Sequence, residues 1–283
     1  MAVETQRLKG PQQLYEDWEH AHWAAQDVDL SRDPGDWAAL EGSERDLLYW
    51  VLSSLMVAEE RISTQFCGLV LAQDDEEEGS YLSTQLVDEV RHMQFYARFQ
   101  NEVIADPAVI GAHVARAREV LGDPFRKVFD EALVNAHDRL CRNPGDREAK
   151  VDFVTTYHMV IEGTLALTGQ FFITDFLEKQ DLLPGFLEGF RNIAQDEHRH
   201  VAYGTWYLQQ AAKDPALRQR IQDKLMELIP VAAGVLVPPG ADPENFEILG
   251  YSSEETNTFA FRALSRRLKV IGVDLAAAGA AAA

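Results

Sequence analysis

Glu89-Val90-Arg91-His92 and Glu197-His198-Arg199-His200 are two Glu-x-x-His pairs, each downstream of a glutamate set in an apolar helical run. Glu59 precedes the first pair and Glu162 the second. A carboxylate or imidazole on an apolar helix face is costly unless a partner compensates it. Six such groups in the repeated order Glu, Glu-x-x-His, Glu, Glu-x-x-His are best explained by two metal ions.

Helical phase decides between neighbours. Leu48, Leu52, Leu55, Glu59, Ile62, Phe66 and Leu69 alternate in steps of four and three, which is a core seam. Glu59 sits in that seam, and Glu60 falls beside it as a surface or supporting group. Leu82, Leu86, Glu89, Met93, Tyr96 and Val103 form the next seam, with His92 one turn from Glu89. Phe186, Phe190, Ile193, Glu197, His200, Gly204 and Tyr207 repeat the arrangement, and Glu162 shares a face with Val151, Thr155, His158 and Leu165.

Oxygen and nitrogen donors without thiolate favour iron or manganese over structural zinc, which prefers a closed tetrahedral shell. About one Glu-x-x-His is expected by chance in such a chain, so either pair alone is weak. Glu19/His22 is a third match with no upstream seam glutamate, and it reads as a decoy. Asp196, just before Glu197, is placed to accept the free N–H of the His92 ring, since ligating histidines usually give it to a carboxylate or carbonyl. His158 lies one turn before Glu162 and reads equally well as a core histidine or a site residue. His198 points elsewhere, and His20, His113 and His137 read as surface residues.

Helical periodicity dominates the rest. Helices are predicted over 11–26, 44–73 and 80–105, with the acidic stretch 74–79 as a linker and Asp33-Pro34-Gly35 as a turn. Two more flank Gly122-Asp123-Pro124, and others follow over 146–180, 184–213, from 215 to the Pro238-Pro239-Gly240 break, and 253–271. Four helices of about 30 residues would each span roughly 45 Å, which favours a bundle with extra helices outside it. No linker divides the chain, so residues 1–272 are expected to form a single domain and 273–283 an Ala-rich disordered tail.

At 283 residues and 46% hydrophobic, the chain can bury a large core. A net charge of −20 argues against nucleic acid as a partner. Cys67 and Cys141 make no disulfide framework and read as buried or half-buried thiols in a reducing compartment. No basic-then-apolar leader and no transmembrane-length apolar run is present, so a soluble cytoplasmic protein is expected.

The order Glu59, Glu89-Val90-Arg91-His92, Glu162, Asp196-Glu197-His198-Arg199-His200 resembles the ribonucleotide reductase small-subunit superfamily over about residues 12–272. Ala58-Glu59-Glu60-Arg61-Ile62, where many reductase subunits begin the set with aspartate, and Thr156-Tyr157-His158-Met159-Val160-Ile161-Glu162-Gly163 look like its ligand-binding oxidases. That resemblance implies an all-α, ferritin-like four-helix bundle core with additional packed helices. It implies a cytoplasmic homodimer with a manganese/iron cluster, di-iron being the alternative. Manganese would sit with Glu59, Glu89 and His92, and iron with Glu162, Glu197 and His200. The implied activity is oxygen (O2) activation and two-electron C–H oxidation, with a long-chain fatty acid as ligand, its carboxylate on the cluster.

The family also carries an ether link between a tyrosine and a β-branched residue. Tyr157 matches the tyrosine. Ile62 falls where the family usually has valine, and it too has a tertiary Cβ–H. Five residues is about 140° around an α-helix, so periodicity alone would not bring Tyr157 to Glu162. Tyr96, four after His92, matches instead the radical tyrosine of true reductase subunits, which is the alternative function. The alanine tail offers neither a tyrosine nor apolar anchors for the partner such a subunit needs. An iron-storage or lipid-carrying bundle is a third class, and oxygenases acting on arylamines or acyl chains a fourth.

Overall fold

Apolar seams interrupted by single acidic residues dictate which helices face one another. The computed structural model describes residues 8–106, 108, 111, 115, 119 and 121–275. In chain order the helices are α1 (Pro11–His20), α2 (Asp33–Ala39), α3 (Gly42–Leu71) and α4 (Glu76–Phe99), the last ending in a π turn, Gln100–Ile104. Next comes α5, built from Asp123–Phe125, a π stretch Arg126–Ala132 and Leu133–Arg142. In α6, Arg147–Val154, a π stretch Thr155–Ala166 and Leu167–Gln180 run on without a break. Last are α7 (Pro184–Ala211), α8 (Pro215–Ala233) and α9 (Ser253–Ile271). A two-strand hairpin, β1 (Glu247–Ile248) and β2 (Tyr251–Ser252), precedes α9.

The fold is all-α and ferritin-like. Helix α3 packs on α4, α4 on α7, and α7 on the π stretch of α6. Phe66 of α3 and Tyr157 of α6 close the ring, with centroids 5.3 Å apart. Helices α8 and α9 lie against α6, α5 against α3, and α1 against α4. Two apolar clusters fill the bundle, one around Phe66, Phe153 and Tyr203 and the other around Phe95, Phe186 and Phe190. Helix α3 passes from the second cluster at Leu52 to the first at Ile62, and α7 from Ile193 to Val201. Glu59 of α3 and Glu197 of α7 fall between these points, so both carboxylates lie where the clusters meet.

Several elements differ from the sequence prediction, each for a local reason. The first helix stops at His20 rather than near residue 26, and Trp23 beyond it donates to Asp196 at 2.8 Å. Asp33-Pro34-Gly35 opens α2 instead of forming a bare turn, as proline in the first helical turn permits. Asp33 is buried and accepts from the Gly185 and Phe186 N–H groups at 2.9 and 2.7 Å, satisfying the start of α7.

The acidic stretch 74–79 is not a linker. The Asp75 side chain caps α4 by accepting from Glu78 N at 2.9 Å, and the acidic first turn suits the helix dipole. Both cysteines are exposed, because Cys67 follows the seam residue Phe66 one step out of phase. Most of the helix expected before Gly122, with His113, and the tail 276–283 lie outside the described residues. No helix among the described residues is long and apolar enough to cross a membrane.

Candidate metal centre

The phase argument holds at each position. Glu59 is buried while Glu60 is exposed, and Glu89, His92, Glu162, Glu197 and His200 are all buried. Ligand-capable atoms of Glu59, Glu89, His92 and Glu197 lie within 4.8 Å of one another, and so do those of Glu89, Glu162 and His200. His92 Nδ1 is 3.6 Å from Glu89, 3.7 Å from Glu197 and 4.0 Å from Glu59. His200 Nδ1 is 3.2 Å from Glu162, 3.4 Å from Glu89 and 3.6 Å from Glu197. Glu89 and Glu197 therefore each face both imidazoles rather than one apiece.

These residues fit a pair of cations. Glu59 Oε2, Glu162 Oε2, Glu197 Oε2 and His92 Nδ1 are buried with no hydrogen-bond partner among the described residues. Orphaned buried groups of this kind are rare and expensive, and two positive ions at the centre would satisfy all four. Neither cysteine is in the cluster, so the donors are oxygen and imidazole alone.

The electrostatics point the same way. Burial, and then the Glu89 charge, pushes the Glu59 carboxyl well above its ordinary range. Burial and Glu197 do the same to Glu162. Glu89 also suffers burial, but the neighbouring His92 and His200 imidazoles and the Tyr157 hydroxyl hold it below the ordinary value. His92 and His200 are raised against their own burial, by Asp196 and Glu89 for the first and chiefly by Glu162 and Asp88 for the second. Left to its own charges, the cluster recruits protons where cations would otherwise sit.

Both rings are aimed by aspartates. His92 Nε2–H donates to Asp196 at 3.2 Å, the contact expected from the sequence, and His200 Nε2–H donates to Asp88 at 3.1 Å. A carboxylate can only accept, so each Nδ1 lone pair is left facing the cluster. Arg91 and Arg199 both bridge Asp88 and Asp196, and Trp18 and Trp23 donate to one aspartate each at 2.8 Å.

Asp88 was missed in the sequence. The signal was there, since Asp88-Glu89-x-Arg91-His92 repeats Asp196-Glu197-x-Arg199-His200. Gln85 was also missed. It donates to Glu162 at 3.3 Å and accepts from His158 Nε2–H at 3.3 Å, making His158 a hydrogen-bonded core histidine one step from the site. His198 and His22 are exposed and outside the cluster, and His137 is half-buried against the Gln65 carbonyl.

Tyr157 reaches the cluster because its segment is π-helical. Hydrogen bonding from i to i+5 brings residues five apart towards one face, so Tyr157 and Glu162 converge as an α-helix would not allow. The Tyr157 hydroxyl donates to Glu89. Ile62 lies in the same apolar cluster as Tyr157. With Glu59, Tyr96, Glu162 and Glu197, Ile62 also lines a mainly apolar cavity of about 160 Å³.

A family model for the ribonucleotide reductase small chain matches residues 7–274. Several solved structures share the fold at low identity. A variant R2-like ligand-binding oxidase with an anaerobically reconstituted Mn/Fe cofactor superposes with a TM-score of 0.80 at 23% identity, covering 96% of each chain. Another such variant gives 0.78 at 23% identity over 97% of each chain. The R2-like ligand-binding oxidase from Sulfolobus acidocaldarius gives 0.76 at 23% identity, over 92% of this chain and 89% of that one.

Proposed function

This chain belongs to the ribonucleotide reductase small-chain family, and from that premise we propose that it is a dinuclear manganese/iron oxidase using molecular oxygen. The observation that carries the reading is the buried cluster in which one oxygen each of Glu59, Glu162 and Glu197, and Nδ1 of His92, have no hydrogen-bond partner among the described residues. Glu59, Glu89 and His92 would hold one ion and Glu162, Glu197 and His200 the other, with Glu89 and Glu197 each facing both imidazoles. When bound, such a metal pair supplies the reduction of oxygen and the two-electron oxidation of a C–H bond.

The chain's own residues define the rest. Asp88 and Asp196 fix the tautomer and angle of both rings. Tyr157 and Ile62 are the first oxidisable groups beside the cluster. A C–O bond between Tyr157 Oη and Ile62 Cβ forms as one O–H and one C–H bond break. Two electrons and two protons pass to oxygen, and Glu89 is placed to take the phenolic proton. The ligand we infer for this cavity is a long-chain fatty acid with its carboxylate towards the cluster; about 160 Å³ takes only part of such a chain, so the tail continues past Phe125, Phe129 and Leu236.

The test is peptide mapping by mass spectrometry after anaerobic loading with manganese and iron and then exposure to air. Joined peptides carrying Ile62 and Tyr157, lighter by two hydrogens, are expected. Extraction of the purified protein should also release a fatty acid. Separate, unmodified peptides together with a tyrosyl radical signal would favour the reductase-subunit reading. Tyr96 supports that second reading, being buried, facing the same cavity and close enough to be perturbed by the Glu59 charge. The family resemblance supports a homodimer, and two cysteines without a disulfide suit the cytoplasm.

A further inference from the structure

A second cleft, of about 870 Å³, runs from the surface of α9 inward to Glu162 and Glu197. It shares Glu162, Gln170, Phe172 and Glu197 with the apolar cavity beside Ile62, and the two are otherwise lined by different residues. Its walls are apolar, with Leu167, Phe171, Phe172, Val201 and Phe259 among them, and the Phe171 and Phe259 rings stack at 4.4 Å.

Three guanidiniums of α9, from Arg262, Arg266 and Arg267, line the same cleft. In a chain of net charge −20, where Arg91, Arg139, Arg199 and Arg220 each pair with aspartate, none of the three has a carboxylate partner among the described residues. Arg267 is half-buried and donates only to the backbone carbonyls of Gly163 and Ala263, at 2.8 and 2.9 Å. Its guanidinium has five N–H donors in a planar fork, so most remain available. Glu254 and Glu255 also line the cleft, but Glu255 is engaged in the α9 cap by Ser252.

We propose that this cleft binds an anionic amphiphile, a phosphate- or carboxylate-headed chain, with its head at Arg262, Arg266 and Arg267 and its far carbons at Glu162 and Glu197. The chain's orientation is then the reverse of the fatty acid's in the reading above. That comparison rests on the oxidase reading, whereas the binding does not.

The probe is decyl phosphate, titrated calorimetrically into the manganese/iron-loaded protein. The double variant Arg262→Gln/Arg266→Gln alters two exposed side chains and leaves Arg267 in place. It should weaken binding at least tenfold, and decanol should bind no more tightly to wild type than decyl phosphate does to this variant. Gly169→Leu, which fills the apolar cavity beside Ile62 where an added Cβ meets open space, should leave decyl phosphate binding intact while expelling co-purified fatty acid. With manganese(II) bound, the probe's terminal methyl protons should be relaxed more strongly than the methylene protons next to its phosphate, being nearer the metal. Unchanged affinity in the double variant, loss of binding in Gly169→Leu, or stronger relaxation of the methylene protons next to the phosphate would each overturn the proposal. A missing Ile62–Tyr157 link with intact, arginine-dependent binding would instead sink the oxidase reading alone.

Discussion

Asp196 of α7 accepts a hydrogen bond from His92 of α4, and Asp88 of α4 accepts one from His200 of α7. Each histidine is thus oriented by the carboxylate that precedes the other half's glutamate. Neither half of the repeat can aim its own imidazole.

Replacing either aspartate by asparagine keeps the shape but removes the charged acceptor. Asp196→Asn should lower metal affinity roughly 10- to 100-fold, and Asp88→Asn by a similar factor. Competition with a chelator of known affinity measures it. Equal affinity for wild type and Asp196→Asn would show that the ring angle is set by packing.

Glu59 gives a prediction in pH. Burial raises its folded-state value above the ordinary 4.5, so its contribution to stability is complete below that value and is lost as pH rises through the raised one. Chelator-treated protein should therefore lose stability towards alkaline pH, and Glu59→Gln should flatten that limb. At pH 9 the variant should melt roughly 2–4 °C higher for each kcal/mol of relieved charge burial. In metal-loaded protein the sign reverses, because a ligand is gone. Differential scanning calorimetry with and without metal separates the two.

His158 works from the acid side. Burial, followed by the nearby His200 charge, holds it well below the ordinary 6.5. The folded protein then binds fewer protons than the unfolded chain, so stability present above 6.5 is lost as pH falls. Between pH 6.5 and 5.5 the loss from this one group is about 1 kcal/mol. Urea titrations of metal-loaded wild type and His158→Gln at the two pH values should differ by that slope. Parallel behaviour would mean that His158 is protonated in the fold.

Glu78 and Lys150 form an ion pair at 2.7 Å with both side chains buried, and Tyr203 donates to the same carboxylate at 2.6 Å. Lys150→Met strands a buried charge and should cost about 3–5 kcal/mol. Adding Glu78→Gln should recover most of that loss, as chemical denaturation of the double variant would show. A double variant as unstable as the single one would mean that packing, not charge, holds this contact.

Much of the bundle and its cluster was legible because both obey α-helical phase. Leu52, Glu59, Ile62 and Phe66 announce a seam with a carboxylate in it, and burial follows. What escaped were features that phase does not encode. Glu78 looked like part of a solvated acidic linker because its partners, Lys150 and Tyr203, are 72 and 125 residues away. Asp33 looked like a turn residue because the helix start it satisfies lies on α7. Asp88 hid behind Glu89, since a residue one step off a seam is ordinarily solvent-facing. The apolar cavity beside Ile62 could not be read at all, because apolar lining and apolar core have the same composition.

The π stretch from Thr155 to Ala166 has a consequence for how this chain tolerates insertions and deletions. A widened turn carries extra residues per revolution, and shedding one lets the backbone relax to ordinary α geometry with its hydrogen bonds intact. A single-residue deletion there would thus be absorbed by the fold and felt by the site, as Tyr157 rotated away from Glu162. The alignment of this centre is written in backbone register, where a change of length is more damaging than most changes of side chain.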